Sequence, residues 1–268
     1  CDCGTSAHDA IDALTASGID VIVSDHHLPS RPVPTCLAVL NPQQPGCAYP
    51  DKGLCAAGVA YKLAVALLAA LGGHEHVALH LLDLVALATI ADVAPLRGEN
   101  RILVRFGLKL MAETRHAGLR ALMEASGLEG KALTAGRVGF ILAPRLNAAG
   151  RVGHAMRGVE LLLATDQGEA NRIARELEEM NRARQELDRA TLDAARAMAD
   201  RLDLDETWGV VLGADGWHPG VIGIVASRLV EELARPVFMV ALDRGVGKGS
   251  GRSISAFDLH GALTACRD

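Results

Sequence analysis

Asp25, His26 and His27 stand in a row directly after the apolar stretch "VIVS" at 21–24. An acid and two imidazoles at the exit of a buried strand are placed where chemistry is done. In open α/β sheets, ligands bind just beyond the carboxyl ends of the strands. Asp2 lies at the end of whatever strand precedes Cys3 and Gly4, one crossover helix away, so both groups face one crevice. Asp92 closes the helical run "DLVALATIADVAP" shortly before Pro95 and can turn into the same space. Carboxylates with imidazole, and no thiolate, suit Mn²⁺ or a similar first-row ion rather than structural zinc. Such an ion polarises a phosphoryl oxygen and supplies a hydroxide nucleophile. The plainer alternative is a turn-forming Asp and satisfied polar histidines; spacing alone leaves both readings open.

Two basic stretches complement the acids. Residues 134–158 carry Arg137, Arg145, Arg151 and Arg157 without a single acid. Arg145 and Arg151 suit bidentate capture of phosphate oxygens, and Asn147 can add a hydrogen bond. Pro144 and Gly150 place them on a bend; the alternative is an ordinary solvated helix face. Residues 244–253, "RGVGKGSGRS", offer Arg244, Lys248 and Arg252 with glycines that let backbone N–H groups approach an anion. This is not a Walker A pattern, and a plain flexible hairpin is the alternative. In "DGWHPGVIGIVASRL", Trp217 and His218 stand at the mouth of a helix expected from about Pro219, whose N-terminus favours phosphate. Packing is the competing role for that pair.

The elements that must position these residues are legible as patterns. Short apolar runs at 19–23 and 36–40 read as parallel strands, with a crossover helix at 6–17 before the first. Helices follow at 56–71, at 76–90 and from about Gly98; Pro144 should end a later one near Ala143. At 166–169, "DQGE" fits a capping box with Asp166 as N-cap. Apolar residues then recur in steps of three, four and seven over 166–203, which predicts one long amphipathic helix of roughly 55 Å, a candidate interdomain connector. From Trp208, strand, helix and strand patterns form a second, smaller α/β unit.

Composition bounds the rest. The chain has 268 residues, half of them apolar and only 3% aromatic, so its core is aliphatic. A net charge of −5 gives no global basic field, and any nucleic-acid contact must be a local patch. Six scattered cysteines without a CxxC pair read as reduced thiols in a cytoplasm. No apolar run reaches the roughly 18 uncharged residues of a membrane span; residues 56–71 come nearest but contain Lys62.

The strings "DCGTS", "VSDHH", "LCAAGVAYKL", "ATIADVAPL", "APRLNAAGR", "GWHPGVIGIVASRL" and "GKGSGRS" occur in that order over nearly the whole chain. In this the chain resembles the RecJ-like single-stranded-DNA exonucleases of the DHH phosphoesterase superfamily. The resemblance implies an α/β fold: a parallel-sheet DHH domain at 1–165, a connector helix at 166–205, and a smaller, truncated DHH-associated substrate-binding domain at 206–268. It implies Mn²⁺- or Mg²⁺-dependent, 5′ to 3′ hydrolysis of single-stranded DNA in repair and recombination, at a two-metal site. Asp2, His26 and Asp92 then resemble metal ligands, and Asp25 an acid supporting them. His27 resembles the residue at the scissile phosphate, and Arg145, Asn147 and Arg151 resemble phosphate contacts. His218, Lys248, Ser250, Arg252 and Ser253 resemble contacts of the associated domain. The implied partners are single-stranded DNA and a single-strand-binding protein or helicase, with a monomer, no membrane and a cytoplasmic location.

Some of the pattern is missing. The chain starts at Cys1 inside an informative region, and the family's first, Asp-rich motif would lie upstream. Its closing glycine-histidine motif and any OB-fold would lie downstream. The expectation is a fragment with poor metal affinity and little activity. The rival readings are a superfamily member acting on short oligonucleotides, cyclic dinucleotides or pyrophosphate, and a non-catalytic nucleic-acid-binding scaffold.

Overall fold

The computed structural model describes residues 1–29 and 31–266. The chain forms two compact units. The first comprises Cys1–Pro144 with Leu161–Ala174, the second Arg145–Glu160 with the chain from Arg175 onward.

In the first unit, helix α1 (His8–Ala16) leads into strand β1 (Ile22–Ser24), which pairs in parallel with β2 (Ala38–Leu40). Both strands are shorter than the apolar runs that announce them. The ladder continues one step further, since Asp25 N–H donates to the Leu40 carbonyl at 3.0 Å. On the other side of β1, Asp2 N–H donates to the Ser24 carbonyl at 2.7 Å. These two bonds fix Asp2 and Asp25 at one end of β1.

Helix α2 (Ala56–Ala70) and a 3₁₀ segment (Glu75–Leu81) precede α3 (Leu82–Ala91) and α4 (Gly98–Ala112). Helix α3 is apolar around nearly its whole circumference and buries seven of its ten residues, as a central helix must. It lies so close to α4 that a Cβ at Gly107 would sit 2.1 Å from the Leu82 carbonyl oxygen. Its one buried acid, Asp83, accepts from Thr114 Oγ1 at 2.5 Å and from Leu84 N–H at 2.8 Å, so the charge is not left bare. The helix ends in a Schellman motif: Val93 N–H donates to Ile90 O and Ala94 N–H to Thr89 O, both at 3.1 Å, with Val93 left-handed at φ 56°. That closure leaves Asp92 at the helix end, with Pro95 just beyond.

Helix α5 (Ala117–Ala125) is followed by the short α6 (Ala135–Arg137), a π-turn (Val138–Leu142) and α7 (Ala143–Val152). Pro144 therefore does not stop the helix. A proline ring clashes with the carbonyl four residues back in regular α geometry. The π-turn immediately before it, in which Ala143 N–H donates to Val138 O, widens the coil at that point and accommodates the ring. Arg145 and Arg151 consequently lie on a helix rather than on a bend.

After α8 (Met156–Leu163) comes α9 (Gln167–Ala199), 33 residues and about 50 Å long. Asp166 caps it, accepting from Glu169 N–H at 2.7 Å. Residues 145–160 go with the second unit because their arginines find acids on α9. Arg145 Nε donates to Glu178, and Arg157 pairs with both Glu176 and Glu160.

The second unit is built on β3 (Val210–Asp215), α10 (Ile222–Leu233), β4 (Val237–Asp243), β5 (Val246–Arg252) and α11 (Leu259–Ala265). The sheet order is β3-β4-β5, parallel then antiparallel. Val210, Leu212, Val225, Leu229, Val237 and Met239 form its core with Leu192 and Ala195 of α9. Trp217 is buried in this core, so it packs rather than faces a ligand. Helix α10 starts at Ile222, three residues later than the proline suggested, after a turn closed by Val221 N–H on His218 O.

The glycine-rich stretch is an edge strand, not a loose loop. Its glycines at 247, 249 and 251 face Leu242, Val240 and Phe238 across the ladder. A Cβ at Gly251 would lie 2.6 Å from Phe238 and one at Gly247 3.0 Å from Val240, while Gly249 has no neighbour nearer than 3.8 Å. A two-residue turn, Arg244 and Gly245, both at positive φ, joins the strands.

Candidate active site

His26 stands between two carboxylates in the first unit. Its Nε2 lies 3.1 Å from Asp2 Oδ1 and its Nδ1 3.5 Å from Asp92 Oδ2. The imidazole is half-buried while both acids are exposed. Three separate stretches supply these side chains: the turn before α1, the exit of β1 and the end of α3.

Asp25 sits beneath them, buried, with its carboxylate fully engaged. It accepts from Thr5 N–H at 3.0 Å, His26 N–H at 2.8 Å, His27 N–H at 3.3 Å and His27 Nδ1 at 2.7 Å. Burial alone would raise this carboxyl's pKa, but the hydrogen bonds from Thr5, His27 and His26 outweigh it and hold the group well below the usual carboxylate range. A carboxylate only accepts, so His27 carries its hydrogen on Nδ1 and presents Nε2 outward. The hydrogen bond to Asp25 raises the His27 pKa; burial opposes this, and the charges of Asp25, Asp2 and Asp92 reinforce it. Asn41 ties the base of the loop, donating to Thr5 Oγ1 at 3.0 Å and to the His27 carbonyl at 2.9 Å.

The donor set fits a divalent cation. A neutral imidazole has one N–H, yet both ring nitrogens of His26 face carboxylate oxygens. One of those contacts opposes lone pairs unless a proton or a cation lies between. Ligand atoms of Asp2, His26 and His27 also lie within 4.8 Å of one another. Carboxylate oxygen with imidazole nitrogen is the set that manganese-like ions take.

The second unit gathers the basic residues differently from their order in the sequence. Arg151 donates through Nη1 to the Gly220 carbonyl at 3.0 Å, and Gly220 N–H donates to His218 Nδ1 at 3.0 Å. The approach is so close that a Cβ at Gly220 would lie 2.2 Å from the Arg151 carbonyl oxygen. On β5, Lys248, Ser250 and Arg252 share one face by strand alternation. Arg252 donates to Ser250 Oγ and Ser227 Oγ, each at 3.2 Å. Ser253 lies past the strand, its hydroxyl donating to Phe257 O at 2.8 Å. Arg145 is held by Glu178, and Asn147 is exposed on α7.

Sequence reasoning missed one cluster. Asp188 is buried on α9, 3.0 Å from Arg228 Nη2 and 3.7 Å from Arg184 Nη1. Burial lowers the Arg184 pKa; Asp188 works against this, and the nearby cations Arg151 and Arg228 add to the lowering. The signal was the Arg-x-x-x-Asp spacing of 184 and 188, which puts both on one helix face. It is hidden among the many charges of α9.

The DHH family, N-terminal domain, matches residues 1–89. RecJ, the single-stranded-DNA-specific exonuclease of Bacillus subtilis, is 42% identical over 269 residues, covering 100% of this chain and 33% of its own length. The Escherichia coli protein of that name is 39% identical over 98% of this chain and 48% of its own length. The crystal structure of RecJ in complex with Mn²⁺ from Thermus thermophilus superposes with a TM-score of 0.88 at 41% identity, over 100% of this chain and 39% of that one. A second, exonuclease RecJ bound to manganese, gives 0.83 at 41% identity, over 98% of this chain and 64% of that one. The chain thus spans between a third and a half of the length of these curated relatives. In sequence and in fold the chain is similar to RecJ over its whole length, and its residues 1–89 match the DHH family, N-terminal domain.

Proposed function

We propose that the protein is a divalent-metal-dependent exonuclease that hydrolyses phosphodiester bonds of single-stranded DNA from the 5′ end. The observation that carries this is the His26 imidazole flanked by Asp2 and Asp92, beside a second imidazole oriented by a buried carboxylate. Asp2, His26 and Asp92 would hold Mn²⁺ or Mg²⁺, the ions named with RecJ from Thermus thermophilus. Bound there, the metal supplies Lewis-acid charge and a more acidic water. His27 meets the phosphate through Nε2; in its doubly protonated form, which the hydrogen bond to Asp25 favours, it keeps the Nδ1 hydrogen on Asp25 and gives the Nε2 proton to the leaving oxygen. Asp25 does not touch substrate; it fixes the tautomer and tilt of His27.

Arg151, Ser250 and Arg252, with His218, Lys248, Asn147 and Ser253, bind phosphates of the strand. Arg145 serves this surface while anchored to Glu178. With aromatics at 3% there are few rings for bases to stack on, so binding is dominated by phosphate contacts and weakens with salt. In this reading residues 1–165 are the catalytic domain, 166–205 the connector and 206–268 the substrate-binding domain. The protein acts as a cytoplasmic monomer beside a single-strand-binding protein or helicase. Among the described residues no helix is long and apolar enough to cross a membrane.

The test is digestion of a 5′-phosphorylated oligonucleotide by the full-length protein with Mn²⁺. Expected are release of mononucleotides from the 5′ end and loss of activity in His27→Ala. Preference for a dinucleotide over a long strand would instead select the short-substrate reading, and no cleavage of either the scaffold reading.

A further inference from the structure

Val93 occupies a position where helices ordinarily place glycine. It is the left-handed residue of the Schellman motif that ends α3, at φ 56°. Among the described residues, only Asp2, Val93, Ala234 and Arg244 have positive φ without being glycine, and Val93 alone of these is β-branched. For such a side chain this backbone is strained. Packing does not offset the strain, because Val93 is 87% exposed. Its neighbour Asp92 stands 3.5 Å from the His26 ring. On the other loop, Leu28 follows His27 directly and is 75% exposed. Two of the three stretches that deliver site residues thus carry an aliphatic side chain into solvent immediately after the site residue.

We infer that Val93, together with Leu28, is a substrate-contact residue: its isopropyl group meets the sugar–base portion of the nucleotide whose phosphate is cleaved. This rests on the nuclease reading above. An aliphatic surface recognises any nucleoside by dispersion and burial, without reading base edges. It suits a chain with very few aromatics to stack on.

The experiment compares wild-type full-length protein with Val93→Gly and Leu28→Ala in three measurements: thermal unfolding, Mn²⁺ titration by calorimetry, and steady-state digestion of a 5′-phosphorylated oligothymidylate. Glycine relieves the backbone, so Val93→Gly should raise Tm by about 2–4 °C. It should also raise KM about fivefold and leave Mn²⁺ affinity within about twofold of wild type, because the carboxylate itself is retained. Leu28→Ala should raise KM without the gain in Tm. Unchanged KM in both variants overturns the inference, and a higher Tm in Val93→Gly then makes Val93 a strained cap only. A loss of Mn²⁺ affinity that tracks the loss of activity also overturns it, and makes Val93 a positioning residue for Asp92. If wild type itself fails to digest the strand, the nuclease reading falls and this inference with it.

Discussion

The Asp25 carboxylate accepts the Nδ1 hydrogen of His27 at 2.7 Å while also holding two backbone N–H groups of its own loop and that of Thr5 from the turn before α1. One buried charge therefore sets both the loop's shape and the imidazole's tautomer. Asp25→Asn keeps the size but loses the charge and part of the accepting capacity. It should cost about 2–3 kcal/mol of stability, read by chemical denaturation, and should reduce cleavage more than binding of the strand.

The same pair predicts a pH profile for the metal-free chain. Asp25 has a lowered folded-state pKa, so its contribution is present above the unfolded value of 3.8 and is lost as pH falls through the folded one. His27 has a raised folded-state pKa, so its contribution is full below 6.5 and is lost as pH rises through the folded value. The difference in Tm between wild type and Asp25→Asn should be widest between those two pH values and narrow on both sides. A difference that grows steadily up to about pH 9 would contradict the pairing.

Asp2→Asn and Asp92→Asn each remove one of the two carboxylates flanking His26. Each should weaken Mn²⁺ binding at least about tenfold, and the stabilisation of the fold by added Mn²⁺ should shrink accordingly. Calorimetry and thermal shift at matched metal concentrations check both. Equal Mn²⁺ affinity in wild type and both variants would remove the site.

Gly220→Ala would drive a Cβ to 2.2 Å from the Arg151 carbonyl oxygen, a backbone atom that cannot step aside. The turn must open, at a cost of about 2 kcal/mol or more. Because Arg151 donates to the Gly220 carbonyl, oligonucleotide affinity should fall too, by fluorescence anisotropy. Arg252→Gln should instead leave Tm nearly unchanged and reduce the slope of log affinity against log salt by about one.

Asp188 carries the opposite risk to a surface acid. Removing its charge in Asp188→Asn leaves Arg184, half-buried, beside two other cations, and should cost about 3 kcal/mol. Urea denaturation of the chain checks it.

Much of this was legible in the residues. The cap at Asp166, the long periodicity of α9 and the strand-end position of Asp25, His26 and His27 are local signals, and each lies where local chemistry placed it. What escaped was non-local or second-order. The acid-free run 134–158 looked like open positive charge, yet the acids that pair with Arg145 and Arg157 come from α9. Pro144 looked like a stop because regular α geometry forbids it, and only a π-turn makes it acceptable. The glycines of 247–251 read as flexibility, although their strict alternation with Lys248, Ser250 and Arg252 is a period of two and could have identified the strand.

That alternation has a further consequence for how β5 tolerates change. Even positions share the face of Val237, Met239 and Ala241, where Arg252 reaches Ser227 of α10, and odd positions share the face of Phe238, Val240 and Leu242. Alanine substitution at the glycines should therefore be felt most at 251, where a Cβ would lie 2.6 Å from Phe238, less at 247, at 3.0 Å from Val240, and hardly at 249, whose nearest neighbour is 3.8 Å away. Inserting one residue within the strand would swap the two faces at once, moving the cationic side chains onto the side of Phe238 and Val240 and bare glycine backbone toward α10. The strand's reading frame, more than any one of its side chains, is what must be preserved.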